Sequence, residues 1–217
     1  MKDLLYKEFK LAKHPTLFIF PFLGSMLLIP GYPYMVAYIY TCLSVFFIFL
    51  NGRENKDILF TVSLPVRKRD TVKARLLMIA IIELFQILFS VPFAFLSAKI
   101  NPGFSSNLAG MEANVAFFGF VFGMYGLFNI VFLPTFYQSA YKAGRSLFYG
   151  GSAITVYIFA VEGAASLVPS LRAFLDTKAP EMLVKQIPVL AAGILVYALL
   201  TFAAYRMAAK RFERVDL

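Results

Sequence analysis

Apolar and polar positions fall in long blocks along this chain, not in the two-residue alternation of strands or the narrow stripe of a surface helix. A window of about 19 residues marks six apolar runs: His14 to Pro30, Tyr34 to Leu50, Leu76 to Ala98, Val115 to Gln138, Leu147 to Val168 and Ile187 to Tyr205. Runs of this kind are what an α-helix needs to cross a hydrocarbon core about 30 Å thick. The first two are short, and Ile29-Pro30-Gly31-Tyr32-Pro33 between them predicts a tight helical hairpin, because two prolines and a glycine stop one helix and start the next. The expected fold class is therefore an all-α membrane protein of six transmembrane helices forming one domain over residues 1–217. A cleavable signal peptide is the rival for the first run. Four lysines, Pro15 and Pro21, and the lack of a small-residue cleavage site before the second run argue against it.

The polar blocks refine this picture. Residues 1–13 place Leu4, Leu5, Phe9 and Ala12 on one helical face and Lys2, Lys7, Glu8 and Lys10 on the others, which predicts an amphipathic helix lying in the membrane interface. The plain alternative is an extension of the first span. Residues 51–75 form the longest polar interruption. Within them Glu54 to Ser63 suits a short helix with acids in its first turn and an apolar edge of Ile58, Leu59 and Val62, ended by Leu64-Pro65. Asp70 or Thr71 is placed to cap the helix that follows. From the pattern alone this loop is either a handle for a soluble partner or a basic loop dipping into the interface.

Charge sets the orientation. If Met1 is cytoplasmic, the inside holds Lys2, Lys7, Lys10 and Lys13, seven basic residues between Asn51 and Arg75, Lys142 and Arg145, and Arg206, Lys210, Arg211 and Arg214. Of the 21 lysines and arginines, that leaves Lys99, Arg172, Lys178 and Lys185 outside. Such asymmetry across short loops is the positive-inside rule, and it predicts both termini in the cytoplasm. The net charge of +9 is used up by topology, with no basic patch left over for nucleic acid.

Composition narrows the chemistry. Hydrophobic residues make up 60% of the chain and charged ones 15%, against about a quarter charged in soluble domains. One His and one Cys cannot supply the three or so protein ligands of a catalytic zinc site. His14 reads as an interfacial polar residue and Cys42 as an ordinary buried helix residue. A membrane protease would need paired catalytic groups within the spans, and the lone His lies at a span edge. No Gly-x-x-x-x-Gly-Lys-Ser/Thr phosphate loop occurs; Gly144-Arg145-Ser146 lacks the lysine and a preceding strand.

At the 51–75 loop the residues resemble a known family. Glu54-Asn55-Lys56-Asp57-Ile58-Leu59, then Ser63-Leu64-Pro65-Val66-Arg67-Lys68-Arg69-Asp70-Thr71-Val72 and Ala74-Arg75, resemble the first cytoplasmic loop of small bacterial ABC-2-type transporter permeases. The amphipathic Met-Lys-Asp-Leu-Leu-Tyr-Lys-Glu-Phe start and the six spans extend the likeness in outline. Size and general character most resemble the compact permeases that export amphipathic peptides of the phenol-soluble-modulin type. The resemblance implies that Glu54 to Leu64 is a coupling helix seated in a cleft of a separate ATPase, with Glu54, Asp57, Ile58, Leu59, Leu64, Pro65 and Arg69 at that contact. It also implies ATP and Mg on that partner and no cofactor on this chain, a second permease subunit, same or homologous, and an amphipathic or hydrophobic cargo, a peptide above all. The expected site of action is the bacterial cytoplasmic membrane. The second inner loop, Ser139 to Ser146, is a weaker contact, since Tyr141, Lys142 and Arg145 also suit interfacial anchoring.

Glu83, Gln86 and Glu162 fall inside spans, where an ionised carboxylate costs on the order of 3 kcal/mol and calls for a partner, water or function. Glu83 and Gln86 are expected either to face a hydrated cytoplasmic cavity on the cargo pathway or to pack between helices. Glu162 is expected near the outer interface, relieved by snorkelling or by a helix break at Gly163. A secondary transporter or channel using Glu83 is the competing function, though the inverted repeats it calls for are not evident. Gly119, Gly123 and Gly126 among Phe117, Phe118, Phe120, Phe122 and Phe128 predict close helix packing; the sharper alternative is an aromatic lining for an apolar cargo.

Overall fold

The computed structural model describes residues 1–11, 14–100, 107, 109–139, 142–177 and 180–215. Ala12, Lys13, Tyr141, Lys178, the 101–106 stretch of the first outer loop and the side chain of Val62 lie outside the described residues.

The described residues are mostly helical, as apolar blocks require when no water is present to satisfy backbone groups. α1 spans Lys2–Leu11, α2 Thr16–Ile19, and a 3-10 helix continues over Phe20–Leu28. α3 (Tyr34–Glu54), α4 (Asp57–Ser63) and α5 (Lys68–Ile100) follow. Then come α6 (Val115–Tyr137), α7 (Ala143–Leu167), the short α8 (Pro169–Leu175) and α9 (Pro180–Lys185), and α10 (Ile187–Glu213). Five of these, α3, α5, α6, α7 and α10, are long and apolar enough to cross a membrane among the described residues.

The first expected span differs. Thr16–Leu28 is apolar but shorter than the others, and most of it winds as 3-10 helix. Pro21 near its start and Gly24 within it remove the hydrogen bonding and side-chain packing that favour α-geometry. Gly24 also lies so close to α5 that a Cβ would sit 2.2 Å from Ser90 Oγ. Because a 3-10 helix rises about 2.0 Å per residue against 1.5 Å for α, the segment still extends about 24 Å. The hairpin that follows is as expected: Gly31 takes φ +77° and Pro33 precedes α3.

α6 lies at the centre. Its apolar window is 72% buried, against 11% for α7 and 17% for α10, so α7 and α10 present broad faces outward. The glycines explain how α6 and α10 meet. A Cβ on Gly193 would lie 2.1 Å from Gly119 O, and one on Gly119 2.7 Å from Val189 O, so the two backbones touch. Gly126 meets Tyr197 of α10 in the same way, and Gly123 makes room for Tyr157 of α7, whose hydroxyl donates to Phe120 O at 3.0 Å. Phe117, Phe128, Phe132 and Phe136 are fully buried and stack on Tyr38, Phe49 and one another. The glycines thus let these rings pack between helices, whereas Phe118 and Phe122 also edge a groove beside α5 and α10.

The ends of the long helices away from α4 are tied by side-chain amides. Asn114 caps α6, accepting from Phe117 N at 3.0 Å and donating to Leu175 O and Thr177 O. Gln186 accepts from Ala116 N at 3.1 Å and donates to Phe174 O at 2.7 Å. Glu162 is half-buried and its Oε2 accepts from Met111 N at 2.7 Å. α7 runs past it to Leu167, so no break at Gly163 relieves the carboxylate; the loop before α6 does.

Gly193→Ala and Gly151→Ala should act in opposite directions. The first forces α6 and α10 apart and lowers stability by about 1–3 kcal/mol; the second meets nothing within 4 Å and raises helix stability by about 0.5–1 kcal/mol. Thermal melting in detergent reads both.

Candidate functional site: the braced short helix

α4 is shorter than expected and begins at Asp57, because α3 runs on to Glu54 and the chain reverses at Asn55-Lys56. Lys56 takes φ 54°, the left-handed conformation this reversal needs. Asp70 and Thr71 sit inside the first turn of α5, which starts at Lys68. Helical spacing then divides the seven residues of α4 into two faces. Asp57, Ile58 and Thr61 are buried, whereas Leu59, Phe60, Ser63 and Leu64 are exposed, Phe60 at 54%. Leu59, Phe60 and Leu64 thus form a small exposed apolar surface outside the long apolar spans.

The buried face ends in a compact set of charges. Asp57 Oδ2 accepts from Arg75 Nη2, and Asp57 Oδ1 lies 2.9 Å from Lys7 Nζ. Arg75 Nε pairs with Glu8, and Lys7 Nζ lies 3.3 Å from Glu8 Oε1 and donates to Thr61 Oγ1. Thr61 Oγ1 in turn donates to Asp57 O at 2.7 Å. Two cations and two carboxylates so balance in a site where Glu8 is 0% and Arg75 3% exposed. The Arg75 guanidinium also lies 5.4 Å from the Phe49 ring centroid of α3. Gly52 of α3 keeps the space open, since a Cβ there would reach 3.4 Å from Arg75 Nη1.

This cluster joins α1, α4 and α5. α1 adds an apolar contact: Leu5 and Phe9 pack against Leu17, Ile48, Met78 and Ile82. Its expected polar face therefore divides. Lys2, Asp3 and Lys10 are exposed, while Lys7 and Glu8 turn inward. Burying opposite charges is costly unless geometry and hydrogen bonding are good, so the cluster's value is less in net stability than in fixing how three helices sit together.

Of the residues read as a partner contact, Glu54, Leu59, Leu64 and Pro65 are exposed, whereas Asp57 and Ile58 face inward. Arg69 is exposed and pairs with Glu213, tying the start of α5 to the end of α10. Sequence reasoning missed Lys7, Glu8 and Arg75 as a unit, and passed over Phe60. Arg75, eight residues into a helix and flanked by Ala74 and Leu76, was the available signal, since a guanidinium there needs a partner. Glu83 and Gln86 are fully buried in the bundle. His14 Nδ1 lies 2.8 Å from Thr16 Oγ1, and its ring stacks on Phe47. Cys42 is buried and free. Among the described residues no group of three acidic, His or Cys side chains is arranged to hold a metal ion.

Burial pushes the Asp57 carboxyl up, but Arg75 and then Lys7 outweigh it and hold its pKa below the usual 3.8. A depressed carboxyl stabilises the fold above its unfolded value and loses that contribution as pH falls through the folded one. Acidification below about pH 4 should therefore release α1 and α4, read by protease cleavage near Lys56, and Asp57→Asn should lack this acid-dependent step. Arg75→Met leaves two carboxylates facing one lysine and should cost about 3–5 kcal/mol of stability. Adding Asp57→Asn to it should recover part of that loss.

A family described as ABC-2 family transporter protein matches residues 3–213. Neither a curated protein nor a solved structure matches the chain. The match takes in α1, the braced α4 and all five long apolar helices, and it agrees with a multi-pass architecture lacking a nucleotide-binding motif. The chain belongs to the ABC-2 transporter family, whose members are the membrane-embedded permease subunits that work with an ABC ATPase.

Proposed function

We propose that this chain is the permease of an ATP-driven exporter in a bacterial cytoplasmic membrane, and that α4 is the coupling helix through which a separate ATPase drives it. The observation that carries this is the division of α4: Leu59, Phe60 and Leu64 outward and bare, Asp57 and Thr61 inward and locked to Lys7 and Arg75. A coupling helix needs both halves. The apolar face binds the moving partner, and the charged face transmits its displacement to α5 and α1 instead of letting α4 swivel. ATP binds with its Mg on the partner, whose closure carries α4 and the attached α5 with it and switches the bundle between inward and outward access. In this reading both termini are cytoplasmic, the 3-10 segment is the sixth crossing, and the exposed faces of α7 and α10 are available to lipid and to a second permease, identical or homologous.

An apolar cargo is supported by a groove of about 400 Å³ between α5, α6 and α10, lined by Leu88, Val91, Phe95, Phe118, Phe122 and Ile194. Its walls offer few hydrogen-bonding groups, which suits the apolar face of an amphipathic peptide and gives little selectivity among such faces. The Asn114 side chain at its edge is already spent on Phe117 N and Leu175 O.

Co-purification of the solubilised chain with the ABC ATPase encoded beside it tests the coupling role. Phe60→Asp with Leu59→Asp should remove a contact of hot-spot size, about 2 kcal/mol or more, and lose the ATPase. Phe159→Ala on the exposed face of α7 should retain it. Equal recovery with both variants would contradict the assignment. In vesicles, amphipathic helical peptides should stimulate ATP turnover and accumulate; a response confined to small apolar drugs or lipids would rule out the peptide cargo.

A further inference from the structure

Glu83 stands at mid-length of α5, opposite Asn129 of α6 and Tyr197 and Thr201 of α10. It is fully buried, and among the described residues no lysine, arginine or histidine pairs with it. Its Oε2 accepts from Tyr197 Oη at 2.8 Å and from Asn129 Nδ2 at 3.1 Å. Asn129 Nδ2 also reaches Thr201 Oγ1 at 3.4 Å. Two atoms are left over. Glu83 Oε1 and Asn129 Oδ1 are both buried and both without a hydrogen-bond partner.

The neighbouring Gln86 shows that the bundle is able to satisfy a buried polar side chain at this level. Its Nε2 donates to Ala37 O at 2.9 Å and its Oε1 accepts from Tyr125 Oη. The Glu83 pair is unlike it in kind: the leftover atoms are both acceptors, and both belong to side chains already in contact. Turning the Asn129 amide over would place its oxygen against Glu83 Oε2 and leave more acceptors unmatched. A neutral donor is missing from this site, and so is a positive charge to balance a carboxylate in a hydrocarbon environment.

We propose that Glu83 and Asn129 form a binding site for one monovalent cation, H⁺ or Na⁺, held on Glu83 Oε1 and Asn129 Oδ1. One carboxylate asks for one positive charge; a divalent ion would leave the site as unbalanced as an empty one. A proton on Oε1 makes that atom a donor and Asn129 Oδ1 its acceptor, while a sodium ion takes both oxygens directly, as hard cations do. The other titratable side chains facing Glu83 are Cys42 of α3, Tyr125 of α6 and Tyr197 of α10, and none of them carries a positive charge in any protonation state. Because the site is shared by α5, α6 and α10, the cation stabilises the arrangement in which these helices meet. Whichever conformation of the bundle holds it more tightly is favoured by that difference in affinity.

The test is thermal melting of the purified full-length chain in nanodiscs, across a pH series in sodium chloride and again in choline chloride of equal ionic strength. Wild type and Glu83→Gln are compared, because glutamine keeps the shape and the contacts to Tyr197 and Asn129 without needing a cation. A melting temperature that falls with rising pH equally in both salts, in wild type and not in Glu83→Gln, assigns a proton. One that rises with sodium in wild type alone assigns sodium. Asn129→Leu provides a second reading that keeps the carboxyl: it should shift the pH or sodium midpoint of the wild-type response. A wild-type melting temperature indifferent to both ions, dependence that persists in Glu83→Gln, or an unshifted midpoint in Asn129→Leu overturns the proposal.

Discussion

The ion cluster of Lys7, Glu8, Asp57 and Arg75 is the constraint around which one end of this protein is built. Four charges from three helices are held almost without water, and each carboxylate meets both cations. Such a set tolerates little rearrangement, since separating one pair exposes charge to a low-dielectric surround and leaves another charge unmatched. α4 alone, at seven residues, is too short to hold its direction by helix propensity. With its inward face locked, it becomes a rigid projection, and its apolar outward face is presented at a fixed angle. α1 gains the same way. A ten-residue amphipathic segment that would otherwise drift in the interface is pinned by Glu8 and by the packing of Phe9 and Leu5.

From that joint the structure passes into the bundle through α5, which carries Arg75 near its N-terminal end and Glu83 two turns further on. α5 packs against the 3-10 segment through Gly24 and Ser90 and against α10 at Glu83 and Tyr197. α10 in turn lies backbone-to-backbone on α6 at Gly119 and Gly193. A displacement at α4 is therefore handed from an electrostatic contact to steric ones. Close-packed helices respond to such a displacement by shifting between arrangements rather than deforming smoothly. The 3-10 segment is the weakest member of this chain of contacts, because its hydrogen-bond geometry is poorer than that of an α-helix.

Much of this was legible from the sequence, and what was not has a common physical cause. The apolar blocks placed the five long helices, Pro30-Gly31 the hairpin, and the Gly119 to Gly126 spacing the close packing around α6. These are local signals, readable from residues a few positions apart. The ion cluster joins residues 7 and 8 to 57 and 75, and no periodicity links positions so distant. Lys7 and Glu8 look like solvent-facing residues of an amphipathic helix until α5 supplies Arg75. Asp57 likewise reads as an acid favourable at a helix start, which it is, while its partners turn it inward. The close approach of Gly24 to Ser90 of α5 is again a contact between segments. At the candidate contact surface, Leu59 and Leu64 were readable as part of an apolar edge, whereas Ile58 was assigned to the same edge and proves to face inward. The difference is a rotation set by the Asp57–Arg75 pair.

If α4 is the coupling helix, α1, α4 and α5 move as one body when the ATPase acts on it. Spin labels at Tyr6 and Ser63, both exposed, measure it directly in the reconstituted permease–ATPase complex. The 6–63 distance within one permease should stay constant between the nucleotide-free and ATP-bound states, while the 63–63 distance across the proposed pair of permeases should shorten. A 6–63 distance that changes as much as the 63–63 distance would contradict it.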